Sequence, residues 1–327
     1  MAKVISKCNY VAFRYFSFSF VKNESMKHNE NYDVIIIGGS YAGLQAAMTL
    51  GRALRQVLVI DSGNPCNRQT PHSHNFLTQD GETPAAIATK GREQLTTYTT
   101  VTLLNDKATE VEKVEGDFNV GTQLGNKFTA RKIIFTTGVR DLMPNIPGFA
   151  DCWGVSILHC PYCHGYEVRQ QPTGILANGD MGFEFSRIIS NWTNNLTLYT
   201  NGPSTLTVAH QQKLALRNIQ IIETELQEIV QEQGYVKSVI FKDDNKQPIT
   251  ALYAKFPFEQ HSSLPANVGC ELNEHGLIKV DSFGKTTVPG VYAAGDNCTL
   301  MRAVAGAVSA GLMAGAFINK ELIEEDF

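Results

Sequence analysis

The segment Val34-Ile35-Ile36-Ile37-Gly38-Gly39 constrains this chain more than any other. A short run of β-branched apolar residues that stops at two glycines is a buried strand of the kind found in parallel sheets. A helical pattern follows from Tyr41 to Leu54, and a second apolar strand, Val57-Leu58-Val59-Ile60, closes at Asp61. Strand, glycine turn, helix and strand within about 30 residues make a βαβ unit. Its turn, Gly38-Gly39-Ser40-Tyr41-Ala42-Gly43, is a GxGxxG motif with Ser40 at the middle glycine. In such a turn the first glycine makes the tight bend and the last lets helix and strand approach, so that a pyrophosphate sits over the helix N-terminus. Serine is small enough to keep that approach open. Asp61 stands where a carboxylate would hold a ribose hydroxyl. The segment predicts dinucleotide binding.

A similar pattern returns about 140 residues later. Thr173 to Ala177 reads as a strand, Gly179 to Gly182 as a turn, Phe183 to Trp192 as a helix and Leu196 to Tyr199 as the next strand. With 327 residues the chain has room for two such domains. The expected division is an N-terminal extension over 1–31, a first domain from 32–150 and 250–327, and a second over 151–249. Between the two units Pro144 to His164 reads as loop-rich. After them come a helix-like stretch, Pro203 to Leu216, and strands at Val236 to Lys242 and Thr250 to Phe256 that lead back to the first domain. The tail from Ala303 to Leu322, rich in Ala and Gly, reads as a closely packed terminal helix. The predicted class is α/β with two Rossmann-like domains, the first discontinuous around the second.

Between the units lies His159-Cys160-Pro161-Tyr162-Cys163-His164-Gly165-Tyr166-Glu167. Two thiols separated by two residues can close a small disulfide, and at a helix N-terminus their pKa falls and a reactive thiolate forms. Zinc is the rival reading. A structural zinc needs four ligands, normally as two separated pairs, and Cys152, Cys270 and Cys298 stand alone. His159 and His164 adjoin the cysteines, but a site closed within six residues would be badly strained. Redox chemistry is the better fit, with no metal expected.

Two further segments resemble flavoprotein motifs. Lys132 to Gly138 is a strand ending in a Thr-Gly turn at Thr137-Gly138, and Thr287 to Asp296 is similar to the C-terminal flavin motif of two-dinucleotide-domain flavoproteins. In that motif the Asp, here Asp296 after Gly295, bonds the ribityl chain. The order of these motifs resembles the low-molecular-weight thioredoxin reductase family over nearly all of residues 32 to 327. The resemblance implies FAD as cofactor, Cys163 against the flavin, Cys160 as the interchange thiol, and a homodimer. Arg68, Gln69 and Asn75 would meet the isoalloxazine and pyrophosphate, and Arg302-Ala303-Val304 would open a helix facing the flavin pyrimidine edge. His164 replaces the usual acid after the second cysteine, where imidazole could move a proton near neutral pH; a plain loop residue is its other reading. His72 and His74 have no counterpart and are loop residues or a second relay.

The implied activity is a dithiol–disulfide oxidoreductase, passing electrons from NAD(P)H through FAD and Cys160–Cys163 to a thioredoxin-like protein or small-molecule disulfide. The local Cys-Pro-Tyr-Cys-His-Gly-Tyr-Glu is closer to dithiol oxidases that close disulfides in natural products such as gliotoxin and holomycin. Those enzymes use dioxygen and no nicotinamide. A flavin-bound interaction module with structural thiols is the non-enzymatic alternative. The second glycine turn departs from the reductase pattern: Ala177 replaces its first glycine and Met181 a small Ser, and neither a carboxylate nor a basic cluster follows Tyr199. These departures argue against a nicotinamide nucleotide, and the retained βαβ frame argues for one.

The formal net charge of −4 gives no reason to expect nucleic acid or an anionic membrane as partner. No apolar run is long enough to span a bilayer. Seven scattered cysteines do not suit a disulfide-stapled secreted domain, so a cytoplasmic location is expected. Met1 to Lys22 holds four Lys or Arg and no acid. It reads as a disordered extension or as a start placed ahead of Met26, with a transit peptide as the other reading.

Overall fold

The computed structural model describes residues 31–327. Apart from Asn31, the extension expected over 1–31 lies outside the described residues. β1 (Asn31–Ile37) leads through the glycine turn into α1 (Tyr41–Arg52), β2 (Val57–Asp61), α2 (Pro84–Leu95) and β3 (Val101–Asn105). The chain continues through β4 (Ala108–Val114), β5 (Asp117–Thr122) and β6 (Lys127–Phe135). These strands lie in the order β3-β2-β1-β6-β5-β4. β1 is parallel to β2 and β6, with Ile36 opposite both Val59 and Ile134. The N-terminal half of β6 pairs antiparallel with β5, and its last three residues pair with Val291–Ala293, a strand from far along the chain.

Successive side chains of a strand face opposite sides, and β1 buries both. Ile35 and Ile37 pack with Leu58, Phe118 and Ile133 on one side; Val34 and Ile36 pack with Leu50, Val59 and Ile318 on the other. A strand with no polar face is the signature of a sheet covered on both sides.

The chain leaves this sheet through β7 (Val139–Asp141), α3 (Phe149–Cys152), β8 (Ile157–Leu158) and the one-turn α4 (Pro161–His164). The second βαβ unit is β9 (Thr173–Leu176), α5 (Gly179–Ile189) and β10 (Leu196–Tyr199), followed by α6 (Val208–Ala215) and β11 (Gln220–Ile222). β12 (Leu226–Glu232), β13 (Tyr235–Phe241) and β14 (Lys246–Pro248) form an antiparallel sheet of their own. β15 (Ala251–Ala254), β16 (Phe258–Gln260), α7 (Leu264–Asn267), β17 (Val291–Ala293) and α8 (Val304–Asp326) complete the order. The second sheet runs β11-β10-β9-β15-β8, every pair parallel. β7 and β16, by which the chain leaves and returns, pair with each other. The architecture is α/β with two Rossmann-like sheets, the first discontinuous around the second.

Several local expectations need correction. The strand expected to lead back to the first domain, Thr250 to Phe256, is β15 in the middle of the second sheet, so the crossing lies after Ala254 rather than at 250. Its four residues are all buried, and it pairs with β9 on one side and β8 on the other. Val236 to Lys242 likewise stays in the three-stranded antiparallel sheet. Gly179 to Gly182 is the first turn of α5, capped by Asn178, and that helix stops at Ile189. In Pro203 to Leu216 only Val208–Ala215 is helical, because the Thr207 hydroxyl caps it by accepting from His210 N–H. The loop-rich Pro144 to His164 contains α3, β8 and α4.

α8 rests directly on α1. A Cβ at Gly311 would lie 2.1 Å from the Ala42 carbonyl oxygen, and one at Gly315 would lie 3.0 Å from that of Ala46. The small residues of the tail let two backbones approach, with Gly311, two turns into α8, level with Ala42 at the start of α1. Among the described residues no helix is long and apolar enough to cross a membrane.

Candidate active site

The first glycine turn is packed too tightly for side chains. Gly38 has φ 111°, and a Cβ there would lie 2.4 Å from the Thr136 carbonyl oxygen; one at Gly43 would lie 1.9 Å from that of Gly38. The Thr136 hydroxyl donates to the Ile37 and Gly38 carbonyls, clamping the turn to the end of β6. A Cβ at Gly39 would meet the Asp61 side chain at 2.7 Å. The expected proximity of Asp61 to the turn is therefore present. Ser40 is the N-cap of α1, yet its side chain makes no capping bond and the first turn carries no acid.

The Gly-Asp turn meets the first at α1. Gly295, at φ 93°, is so close to Ala42 that a Cβ would lie 3.2 Å from the Ala42 Cβ. Asp296 follows, and burial raises its carboxyl above the usual aspartate range against the opposing pull of Arg302. Arg302 holds Asp141 of β7 in a two-pronged ion pair, with bonds of 2.6 and 3.0 Å. Ala303 caps α8 without a side-chain bond and Val304 begins the helix, again with no acid in the first turn. Two helix N-termini thus stand with their amides unclaimed by any capping side chain.

Cys160 and Cys163 are joined as a disulfide, their Cα atoms 5.3 Å apart. Cys160 is the N-cap of α4, and its sulfur accepts from the Cys163 N–H at 3.2 Å. Gly165 closes the turn by donating to the Pro161 carbonyl, and a Cβ there would strike the Trp192 ring. Tyr162 packs edge-on against the same indole and is exposed. The His164 ring lies 6.5 Å from that of His74, which approaches Glu167 and Asp80 at 3.7 Å each. Burial, then the neighbouring His74, lowers the His164 pKa below the ordinary 6.5, and Glu167 opposes the shift. The loop holding His72 and His74, for which the family resemblance offers no counterpart, is thereby brought to the dithiol.

The sequence matches the pyridine nucleotide-disulphide oxidoreductase family over residues 32–311. The chain belongs to this family. It is 32% identical to thioredoxin reductase tcpT of Claviceps purpurea over 306 residues, covering 90% of this chain and 95% of that one. The crystal structure of a putative thioredoxin reductase TrxB from Bacillus anthracis superposes with a TM-score of 0.87 at 30% identity, covering 90% of this chain and 100% of the other. The structure of HlmI gives 0.86 at 32% identity, with coverages of 91% and 95%.

This oxidoreductase family binds FAD, and the residues present fit it. Two buried polar atoms beside the turns have no partner, the Thr137 hydroxyl and Asn297 Oδ1, while Arg302 Nε faces the Asp296 carboxylate at 3.5 Å. Buried polar groups are almost always bonded, so unpartnered ones mark a place for a polar ligand. Asn297 is fully buried, and its amide nitrogen donates to the Phe135 carbonyl, holding the Gly-Asp turn against β6.

Not every expected residue converges. Gly138, at φ 67°, accepts from His261 N–H and lies at the crossing between sheets. Arg68 is exposed and bonds the Pro65 carbonyl of its own loop. Gln69 packs near Gly154 of the second half, and Asn75, at φ 60°, has its N–H taken by Asp80. The bonds of Arg68 and Asn75 stay within their own loop, whose Asn67 donates to the Tyr41 hydroxyl. Sequence reasoning missed Arg92, which donates to Asp61 at 3.0 Å and to the Gly39 carbonyl at 3.3 Å. It also missed Asp141 and Asn297. No motif marks Arg92 or Asp141, whereas Asn297 directly follows the Gly-Asp pair.

The second glycine turn is built differently. The Asn178 side-chain Oδ1 accepts from Gly179 N–H at 2.8 Å, Thr205 N–H at 2.9 Å and the Thr205 hydroxyl at 3.1 Å. Its amide donates to Pro203. Asp180 stands in the first turn of α5, and His210 stacks on Phe183 with ring centres 4.1 Å apart.

Proposed function

We propose that this chain is an FAD-dependent dithiol–disulfide oxidoreductase in which Cys160 and Cys163 exchange an electron pair with the flavin and with a small-molecule or thioredoxin-like protein substrate. The observation that carries the reading is a closed Cys160–Cys163 disulfide on a one-turn helix in a chain that also holds two uncapped helix N-termini, with the Gly-Asp turn packed on the first of them. Bound flavin supplies a two-electron couple matched to a disulfide. Asp61 would hold a ribose hydroxyl, Asp296 the ribityl chain, and the amides opening α1 and α8 the pyrophosphate and the ring edge. Oxidising a substrate dithiol releases two electrons and two protons, so a base near the sulfurs is required. His164 suits that role because its lowered pKa keeps the imidazole neutral at pH 7. By family resemblance the protein would work as a homodimer.

His164→Ala is expected to slow dithiol–flavin exchange at pH 7 by about 10²- to 10⁴-fold, the usual contribution of a positioned acid–base group. In the parent enzyme the rate should fall as pH drops through the lowered imidazole pKa, because the base becomes protonated; the variant should lack that limb. FAD content should not change. Identical pH profiles for the two proteins would return His164 to a purely structural role.

With NAD(P)H as donor the route is nucleotide to FAD to dithiol to substrate disulfide. A second reading, a dithiol oxidase that passes electrons to dioxygen, is favoured by the N-terminus of α5. There the Asn178 side chain caps the helix and is itself held by Thr205. α1 has no such side-chain cap. Anaerobic mixing with NADH and NADPH distinguishes the two. Rapid bleaching by either supports the reductase. Bleaching only by a dithiol, with hydrogen peroxide formed on admitting air, supports the oxidase.

A further inference from the structure

His159 precedes the dithiol on the strand side of α4 and takes no part in the chemistry described above. Its ring stacks on Trp153 with centres 5.9 Å apart and planes inclined by 30°. Trp153 in turn stacks on Phe149 and leans on Phe256, so the imidazole is wedged against a rigid aromatic wall. The charged and titratable groups acting on it are Arg302, Asp141, His164 and Lys255. His159 is therefore within electrostatic reach of the Arg302–Asp141 pair, and it directly precedes the cysteine that caps α4. Its Nε2 is buried and has no hydrogen-bond partner. A locked ring with an unpartnered buried nitrogen is costly unless something bound there completes it. Burial first, then Arg302, pushes its pKa down to about 4, so the ring is neutral and one of its nitrogens carries a donor hydrogen.

We propose that His159 is a flavin contact: its Nε2 hydrogen-bonds to the isoalloxazine and helps set the balance between oxidised and reduced flavin. The inference rests on FAD binding at the two turns. A neutral donor favours the reduced ring, which carries more electron density on its nitrogen and oxygen atoms. A positively charged imidazole would do so more strongly, but the adjacent guanidinium of Arg302 opposes that charge. His159 thus adds a fixed dipole rather than a titrating group, and its influence should be constant across the neutral pH range.

The test uses the FAD-loaded full chain, first without substrate and then in steady-state turnover of a dithiol. His159→Phe keeps a ring against Trp153 and removes the polar atom. Its midpoint potential, titrated against a dye of known potential, should fall by about 30 mV, which corresponds to a tenfold shift in the two-electron equilibrium. The visible absorption of the oxidised flavin should shift as well. His159→Asn, which shortens the polar arm, carries the same expectation and provides the measurement if the Phe variant does not fold. An unchanged potential and spectrum with FAD bound would overturn the proposal. So would a change confined to the KM for a dithiol, which would make His159 a substrate contact. A parent chain that takes up no FAD would overturn the flavin reading itself, a result distinct from either.

Discussion

Cys163→Ser is expected to abolish reduction of the flavin by dithiols, whereas Cys160→Ser should leave a stable thiolate beside the oxidised flavin, visible as a long-wavelength charge-transfer band. The asymmetry follows from the proposed division of roles. The Cys163 N–H points at the Cys160 sulfur, and a donated hydrogen bond stabilises a thiolate. Cys160 is then the better-stabilised anion once the disulfide opens, which suits the thiol that meets substrate. The nucleophile in exchange is the thiolate, so lowering its pKa raises the reactive fraction near neutrality. Losing Cys163 removes the sulfur through which the electron pair reaches the ring, and no residual route should be measurable. Another thiol near the flavin turn would not mimic the band: burial pushes the Cys298 pKa up to about 12, so it stays protonated near pH 7. A band in Cys163→Ser and none in Cys160→Ser would show the two roles to be reversed.

Much of this was legible because the decisive features are short and local. A strand that buries both faces must be apolar throughout, and Val34 to Ile37 declares that without reference to any other residue. Glycines are equally legible, since only a residue without a Cβ fits 1.9 Å from a carbonyl oxygen, as at Gly43. β15 was assigned to the wrong sheet for a related reason. A short buried strand looks alike in either sheet, and only pairing with Thr173–Leu176 decides its place. Arg92, Asp141 and Asn297 act through partners 31, 161 and 162 residues away. Such pairs exist only after the chain has folded. His74 belongs to the same class: its sequence suggested a loop, and the fold sets that loop against the dithiol.

The cost of disturbing the flavin turn should be largest at Asp296. Asp296→Ala is expected to weaken FAD binding by about 10- to 100-fold, from the loss of a charge-assisted hydrogen bond worth about 1.5–3 kcal/mol. The surrounding fold should survive the change. Arg302 keeps its two bonds to Asp141, and Asn297 keeps the turn on Phe135. The truncation removes the acceptor and leaves the cradle in place. The same residue gives FAD retention a direction with pH. Burial raises the Asp296 pKa above 3.8, so as pH falls the carboxylate gains its proton earlier than an exposed aspartate would. The protonated form is the weaker acceptor, and parent-protein affinity should decline on the acid side while Asp296→Ala, already without the acceptor, loses no more from this source. FAD-to-protein ratios after gel filtration at pH 7 and at pH 5, with titrations of the stripped protein, read both effects. Equal affinity in the two proteins at pH 7 would remove Asp296 from the flavin site and leave the Gly-Asp turn a structural one.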